Sequence, residues 1–211
     1  MSEPIIHGLF PTPVLSTKIN RDFTKKEIDF VLKQKNNSIK NVGNFISKDE
    51  FILKNKQLKN IRKFLENQCK FYLNNVLGIS DKIELYITLS WLNFTDGKQF
   101  HHMHQHTNSL ISGVLYLKAD KENDTITFAK KQYREITIPT ENFNTWNSGS
   151  WWLPIETGQL LMFPSFLLHE VQTKKDNNLR ISLAFNTFIS GTLGGSTTKL
   201  KLTKDKIYKC T

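Results

Sequence analysis

Four of the six histidines fall within six residues, in the run Phe100-His101-His102-Met103-His104-Gln105-His106, and a fifth, His169, lies far downstream. Neutral imidazole is the commonest metal-binding side chain and suits iron, zinc, copper and nickel. In a strand, residues i and i+2 share one face, so His104 and His106 can turn two rings toward one ion. His169, from a distant strand, supplies a third corner. His7 and part of the cluster are then spectators. Arg180 follows His169 by eleven residues and opens the apolar stretch Arg180-Ile-Ser-Leu-Ala-Phe-Asn186. A guanidinium beside buried surface needs an anion, and its planar fork fits a carboxylate. That anion is either one of the chain's own acids or a carboxylate ligand bridging the metal and the arginine.

These residues need elements to hold them. Ile5–Ile19, broken by Pro11 and Pro13, reads as an edge strand, since proline cannot donate to a central ladder. A first helix is expected from about Thr24 to Lys33. A second is clearer, because Leu58, Ile61, Leu65, Cys69, Leu73 and Val76 recur every three or four residues. Gly78 stands where a helix end wants a left-handed residue. After Ser80 the period changes to two. Strands are expected at Leu85–Leu92, Leu110–Leu117, Thr125–Ala129, Glu135–Ile138, Gln159–Phe163, Glu170–Gln172, Ile181–Ile189 and Lys199–Leu202. Helices first and short strands afterwards predict an α+β, mainly β chain: a β-roll with N-terminal helices packed outside it. The pattern gives one domain over residues 1–211, with helical support over about 20–78 and a β-roll core over about 83–203.

Composition narrows the function classes. With 211 residues, 15 of them Phe, the chain can bury a sizeable core. Lys+Arg 29 against Asp+Glu 19 gives a net charge of +10. The lysines are scattered among Asn, Asp and Gln, as on a solvated surface, so nucleic acid is not an expected partner. No apolar run reaches the roughly 18–20 residues of a membrane span, and no secretory leader is evident. Two cysteines, Cys69 and Cys210, cannot build a disulfide framework, which predicts a cytoplasmic protein.

The combined motifs resemble the Fe(II)/2-oxoglutarate-dependent oxygenases: His-x-His, a distal histidine, then an arginine about ten residues on. More narrowly, His104–Leu117, Gly158–His169 and Arg180–Asn186, with the opening Leu9-Phe-Pro-Thr-Pro-Val14, are similar to a subfamily found in bacteria and phages. The resemblance spans nearly the whole chain and implies a double-stranded β-helix, or jelly roll. It implies that His104, His106 and His169 ligate Fe(II), and that Arg180 pairs with the distal carboxylate of 2-oxoglutarate, with Tyr116 and Ser182 as further contacts. One departure stands out, since most of the superfamily carries a carboxylate at the position of His106. The implied activity is that of a dioxygenase or hydroxylase, using O2, with ascorbate as an accessory reductant. It couples decarboxylation of 2-oxoglutarate to succinate with C–H oxidation of an unidentified small or macromolecular substrate. No catalytic side chain is expected beyond the ligands. Asn93, Trp151 and Trp152 are candidate substrate-pocket residues.

Two rivals share the scaffold. A cupin-type metal-binding protein would have a glutamate soon after His-x-His, where this chain has Thr107-Asn-Ser, and would give Arg180 no task. A non-catalytic ligand-binding jelly roll explains the tryptophans and leaves the histidines idle.

Overall fold

The computed structural model describes residues 3–131, 136 and 138–204. Its first helix, α1 (Lys25–Lys35), starts at a reciprocal cap: Thr24 Oγ1 accepts the Glu27 N–H at 3.3 Å, and the Glu27 carboxylate accepts the Thr24 N–H at 2.8 Å. The second, α2 (Lys59–Phe71), buries Ile61, Leu65 and Cys69 along one stripe. Two 3-10 turns, Ile52–Lys54 and Lys56–Leu58, precede it, and a π-helical turn, Tyr72–Val76, follows. Gly78 then takes the left-handed conformation at φ 63°.

The strands form two antiparallel sheets. They are β1 (Leu15–Lys18), β2 (Ile39–Lys40), β3 (Phe45–Ile46), β4 (Glu84–Thr95), β5 (His101–His104), β6 (Ile111–Lys118), β7 (Thr125–Ala129), β8 (Ser150–Pro154), β9 (Gln159–Pro164), β10 (Leu168–Val171), β11 (Arg180–Leu193) and β12 (Leu200–Leu202). The larger sheet runs β1-β9-β6-β11-β4-β3-β2, with β12 on β11, and the smaller runs β5-β10-β7-β8. The long strands β4 and β11 divide their residues by parity. Leu92, Phe94, Leu183 and Phe185 enter one buried cluster with Val31 of α1 and Ile61, Leu65 and Cys69 of α2. Trp91, Asn93, Thr95, Arg180, Ser182 and Ala184 alternate with them and line a cavity. A second cluster joins Tyr116, Leu161 and Phe163 of the larger sheet to Ile126 and Phe128 of the smaller. Gly113 on β6 pairs with Phe185 on β11, and a Cβ there would stand 2.2 Å from the Phe185 ring. The architecture is mainly β, in two sheets, with few helices. No helix among the described residues is long and apolar enough to cross a membrane.

Several expectations change in detail. Of Ile5–Ile19 only Leu15–Lys18 is a strand, and it does lie at a sheet edge. The hairpin β2–β3 carries two residues a side, too few to show a period. The tryptophan stretch is a strand, β8, at the outer edge of the smaller sheet. Of the strand expected over Glu135–Ile138, residues 135 and 137 lie outside the described residues. His106 lies past the end of β5, so the two-residue strand period does not account for its orientation.

Candidate metal centre

Antiparallel pairing of β5 with β10 sets His104 directly opposite His169. His106, in the turn after β5, is fixed by its backbone N–H, which donates to the Ser165 carbonyl at 2.9 Å. One donor nitrogen from each of the three rings lies within 4.8 Å of the others. The second ring nitrogen decides the tautomer. His104 Nδ1 donates to the His102 carbonyl at 2.7 Å, and His169 Nδ1 to the Leu167 carbonyl at 3.0 Å. A carbonyl can only accept, so both protons sit on Nδ1 and both Nε2 lone pairs are left for an ion. Burial, with the neighbouring imidazoles, pushes the pKa of His106 down to about 4 and that of His169 to about 3, and lowers that of His104. All three rings are therefore neutral near pH 7, the form that binds metal. Three neutral nitrogen donors this close together fit a metal that keeps open coordination positions.

Arg180, 4% exposed, faces the same cavity from the first position of β11. Sheet register arranges its neighbours. Thr95 lies opposite Arg180, and Ser182 stands between Asn93 on β4 and Tyr116 on β6. The Asn93 Oδ1 is buried and has no hydrogen-bond partner among the described residues. Tyr116 is buried, and burial raises its pKa, so its phenol stays neutral. Arg180 also has an internal partner, because its Nη1 meets the buried Asp124 Oδ1 at 3.4 Å.

Residues 89–186 match the family model described as "Putative 2OG-Fe(II) oxygenase". Over that part of its length the chain is similar to the 2OG-Fe(II) oxygenases. HygX from Streptomyces hygroscopicus, solved with nickel, 2-oxoglutarate and hygromycin B, is 10% identical over 83% of this chain and 82% of its own, with a TM-score of 0.55. The epimerase SnoN, solved with Fe3+, alpha ketoglutarate and nogalamycin RO, is 8% identical over 92% and 93%, with a TM-score of 0.60. A viral collagen prolyl hydroxylase from Paramecium Bursaria Chlorella virus-1, in complex with 2OG, is 14% identical over 82% and 94%, with a TM-score of 0.51. At such identities the likeness is one of fold. No curated protein matches the sequence at a significant level.

In this chain the cavity gathers His104, His106, His169, Arg180, Tyr116, Ser182 and Asn93, and leaves out Trp151 and Trp152. The reason is topological. β8 is an edge strand, separated from β10 by β7, and the register row His104–His169–Phe128–Trp151 puts Phe128 between the histidines and Trp151. Trp152, one residue on, faces the opposite side of the sheet and is 60% exposed.

One cavity residue and two residues beside the cavity were not evident from the sequence. His101 lines the cavity with its ring stacked 4.5 Å from that of His104. An irregularity in the β5–β10 pairing accounts for this, since two steps along β10 oppose three along β5 and bring residues i and i+3 together. Asp124 and Lys174 form a buried ion pair of 3.0 Å beside Arg180. No local pattern marks either one, because they are 50 residues apart.

Proposed function

We propose that this chain is an Fe(II)- and 2-oxoglutarate-dependent dioxygenase that oxidises a C–H bond of its substrate. His104, His106 and His169 would hold the iron. Arg180, assisted by Tyr116 and Ser182, would bind the distal carboxylate of 2-oxoglutarate. When bound, the iron with 2-oxoglutarate and O2 supplies the oxidation chemistry, coupling decarboxylation to succinate and CO2 with substrate oxidation, and ascorbate keeps the metal ferrous. The fold is read as a double-stranded β-helix with the N-terminal helices outside it, forming one domain over residues 1–211. The free, buried Cys69 accords with a reducing cytoplasm, where Fe(II) persists.

One observation carries the reading: three neutral imidazoles and a buried arginine face each other across one cavity. The chain's own residues orient the reactants and exclude water. The backbone carbonyls of His102 and Leu167 fix the ring tautomers. The neutral Tyr116 phenol can donate to a carboxylate, and Asn93 offers a buried polar group on the same wall. The three-imidazole set lacks the anion that a carboxylate ligand would bring, and dianionic 2-oxoglutarate balances that charge on binding.

The test is anaerobic titration of Fe(II)-loaded protein with 2-oxoglutarate. Loss of a charge-assisted pair removes about 1.5–3 kcal/mol, so Arg180→Ala should weaken binding by roughly tenfold to a hundredfold. Unchanged affinity in that variant would return the arginine to a purely internal role.

A further inference from the structure

Arg180 is not alone beneath the cavity. Lys174, in the loop before β11, has a fully buried side chain, and its Nζ donates to Asp124 Oδ1 at 3.0 Å and to Asp176 Oδ2 at 2.8 Å. Arg180 Nη1 reaches the same Asp124 oxygen at 3.4 Å. The other carboxylate oxygen, Oδ2, accepts the Asp120 backbone N–H at 2.9 Å. One buried carboxylate thus stands between two buried cations, and its shorter bond goes to the lysine.

An undivided arginine–carboxylate pair looks different in this same chain. Arg21 closes a fork on Glu27, with Nη1 to Oε2 at 2.8 Å and Nη2 to Oε1 at 2.7 Å. Asp124 makes no such fork with Arg180, since Lys174 crowds Oδ1 and the Asp120 N–H holds Oδ2. A guanidinium carries five donors. A single long contact leaves Arg180 largely uncommitted on the wall that Tyr116 and Ser182 share.

We propose that Lys174 is a positioning residue for the co-substrate: by holding Asp124, it keeps Arg180 free to bind the distal carboxylate of 2-oxoglutarate. This rests on the co-substrate reading above and extends it to Lys174 and Asp124, two residues absent from the cavity lining. Without Lys174, Asp124 would close on Arg180, and 2-oxoglutarate would have to displace an internal ion pair from a water-poor site.

The experiment is calorimetric titration of Zn(II)-loaded protein with 2-oxoglutarate, zinc holding the site without turnover, with zinc content measured for every variant. Lys174→Met should bind one zinc per chain and bind 2-oxoglutarate about tenfold more weakly, the scale of one hydrogen bond to a charged group. Asp124→Asn should bind it as tightly as wild type or more so. The double variant Lys174→Met/Asp124→Asn should recover to within about threefold of wild type, because the competing anion is gone. Such rescue separates positioning from a structural role, which the second change would not repair. Unchanged affinity in Lys174→Met, or a double variant as weak as Lys174→Met, would overturn the proposal. If Lys174→Met does not fold, Lys174→Gln, which keeps a donor without the charge, should show the same weakening. Failure of both to fold would make Lys174 a core counter-ion and overturn the positioning role. Arg180→Ala separates the two claims. If it binds 2-oxoglutarate normally, the co-substrate reading fails and the inference with it; if it binds weakly while Lys174→Met binds normally, only the inference fails.

Discussion

His104, His106 and His169 owe their neutral, metal-binding form to burial, and His104 and His169 also to backbone carbonyls, rather than to any acid. Removing one corner of the triad should therefore remove the ion and leave the fold. His104→Ala or His169→Ala should lose stoichiometric Fe(II) at unchanged circular dichroism, whereas His101→Ala should keep it. Metal content by emission spectroscopy decides this, and retention of iron by both triad variants would displace the site. The same burial has a pH signature in the metal-free protein. His106 titrates at about 4 when folded, against 6.5 when unexposed groups are released on unfolding. As pH falls below 6.5 the unfolded chain takes up protons that the folded chain refuses, so the contribution of His106 to stability drops until about pH 4 and that of His169 until about pH 3. The melting temperature should fall across that window, and His106→Gln should flatten the slope.

At the scale of elements, β6 and β11 carry Tyr116, Arg180 and Ser182, and their packing depends on Gly113. A methyl group there would press on the fully buried Phe185 ring. Gly113→Ala should cost about 1–3 kcal/mol, the range for overpacking a filled core, read as a lower urea midpoint. An unchanged midpoint would mean that the ring can move aside. The strands that flank the site were legible because Arg180, Ser182 and Ala184 alternate with Ile181, Leu183 and Phe185, which is a period the sequence displays. The spacing of His104, His169 and Arg180 was legible for the same reason: residue types with few other uses sit at strand ends. Trp151 and Trp152 stand outside this cavity, because a large aromatic near a histidine cluster in sequence says nothing about an intervening strand. His101 was hidden by an irregular strand pairing, and Asp124 and Lys174 by an ion pair that forms only when distant segments meet.

At the scale of the molecule, one parity of β4 and β11 shares a buried cluster with α1 and α2, and the other parity lines the cavity. The chain carries a net charge of +10, while the cavity gathers neutral imidazoles, Glu170 and one half-engaged arginine. Such a site should process its co-substrate slowly even with no substrate in place. The most direct measurement is succinate formed from 2-oxoglutarate by the purified protein with Fe(II), O2 and ascorbate, beside His169→Ala, His106→Asp and a metal-free control. Wild type should form succinate above the control and His169→Ala should not. His106→Asp restores a carboxylate ligand, lowers the site charge by one unit and should retain iron and some turnover. Absence of succinate from both wild type and His106→Asp, with iron bound, would contradict the oxygenase account and leave a catalytically silent metal-binding protein.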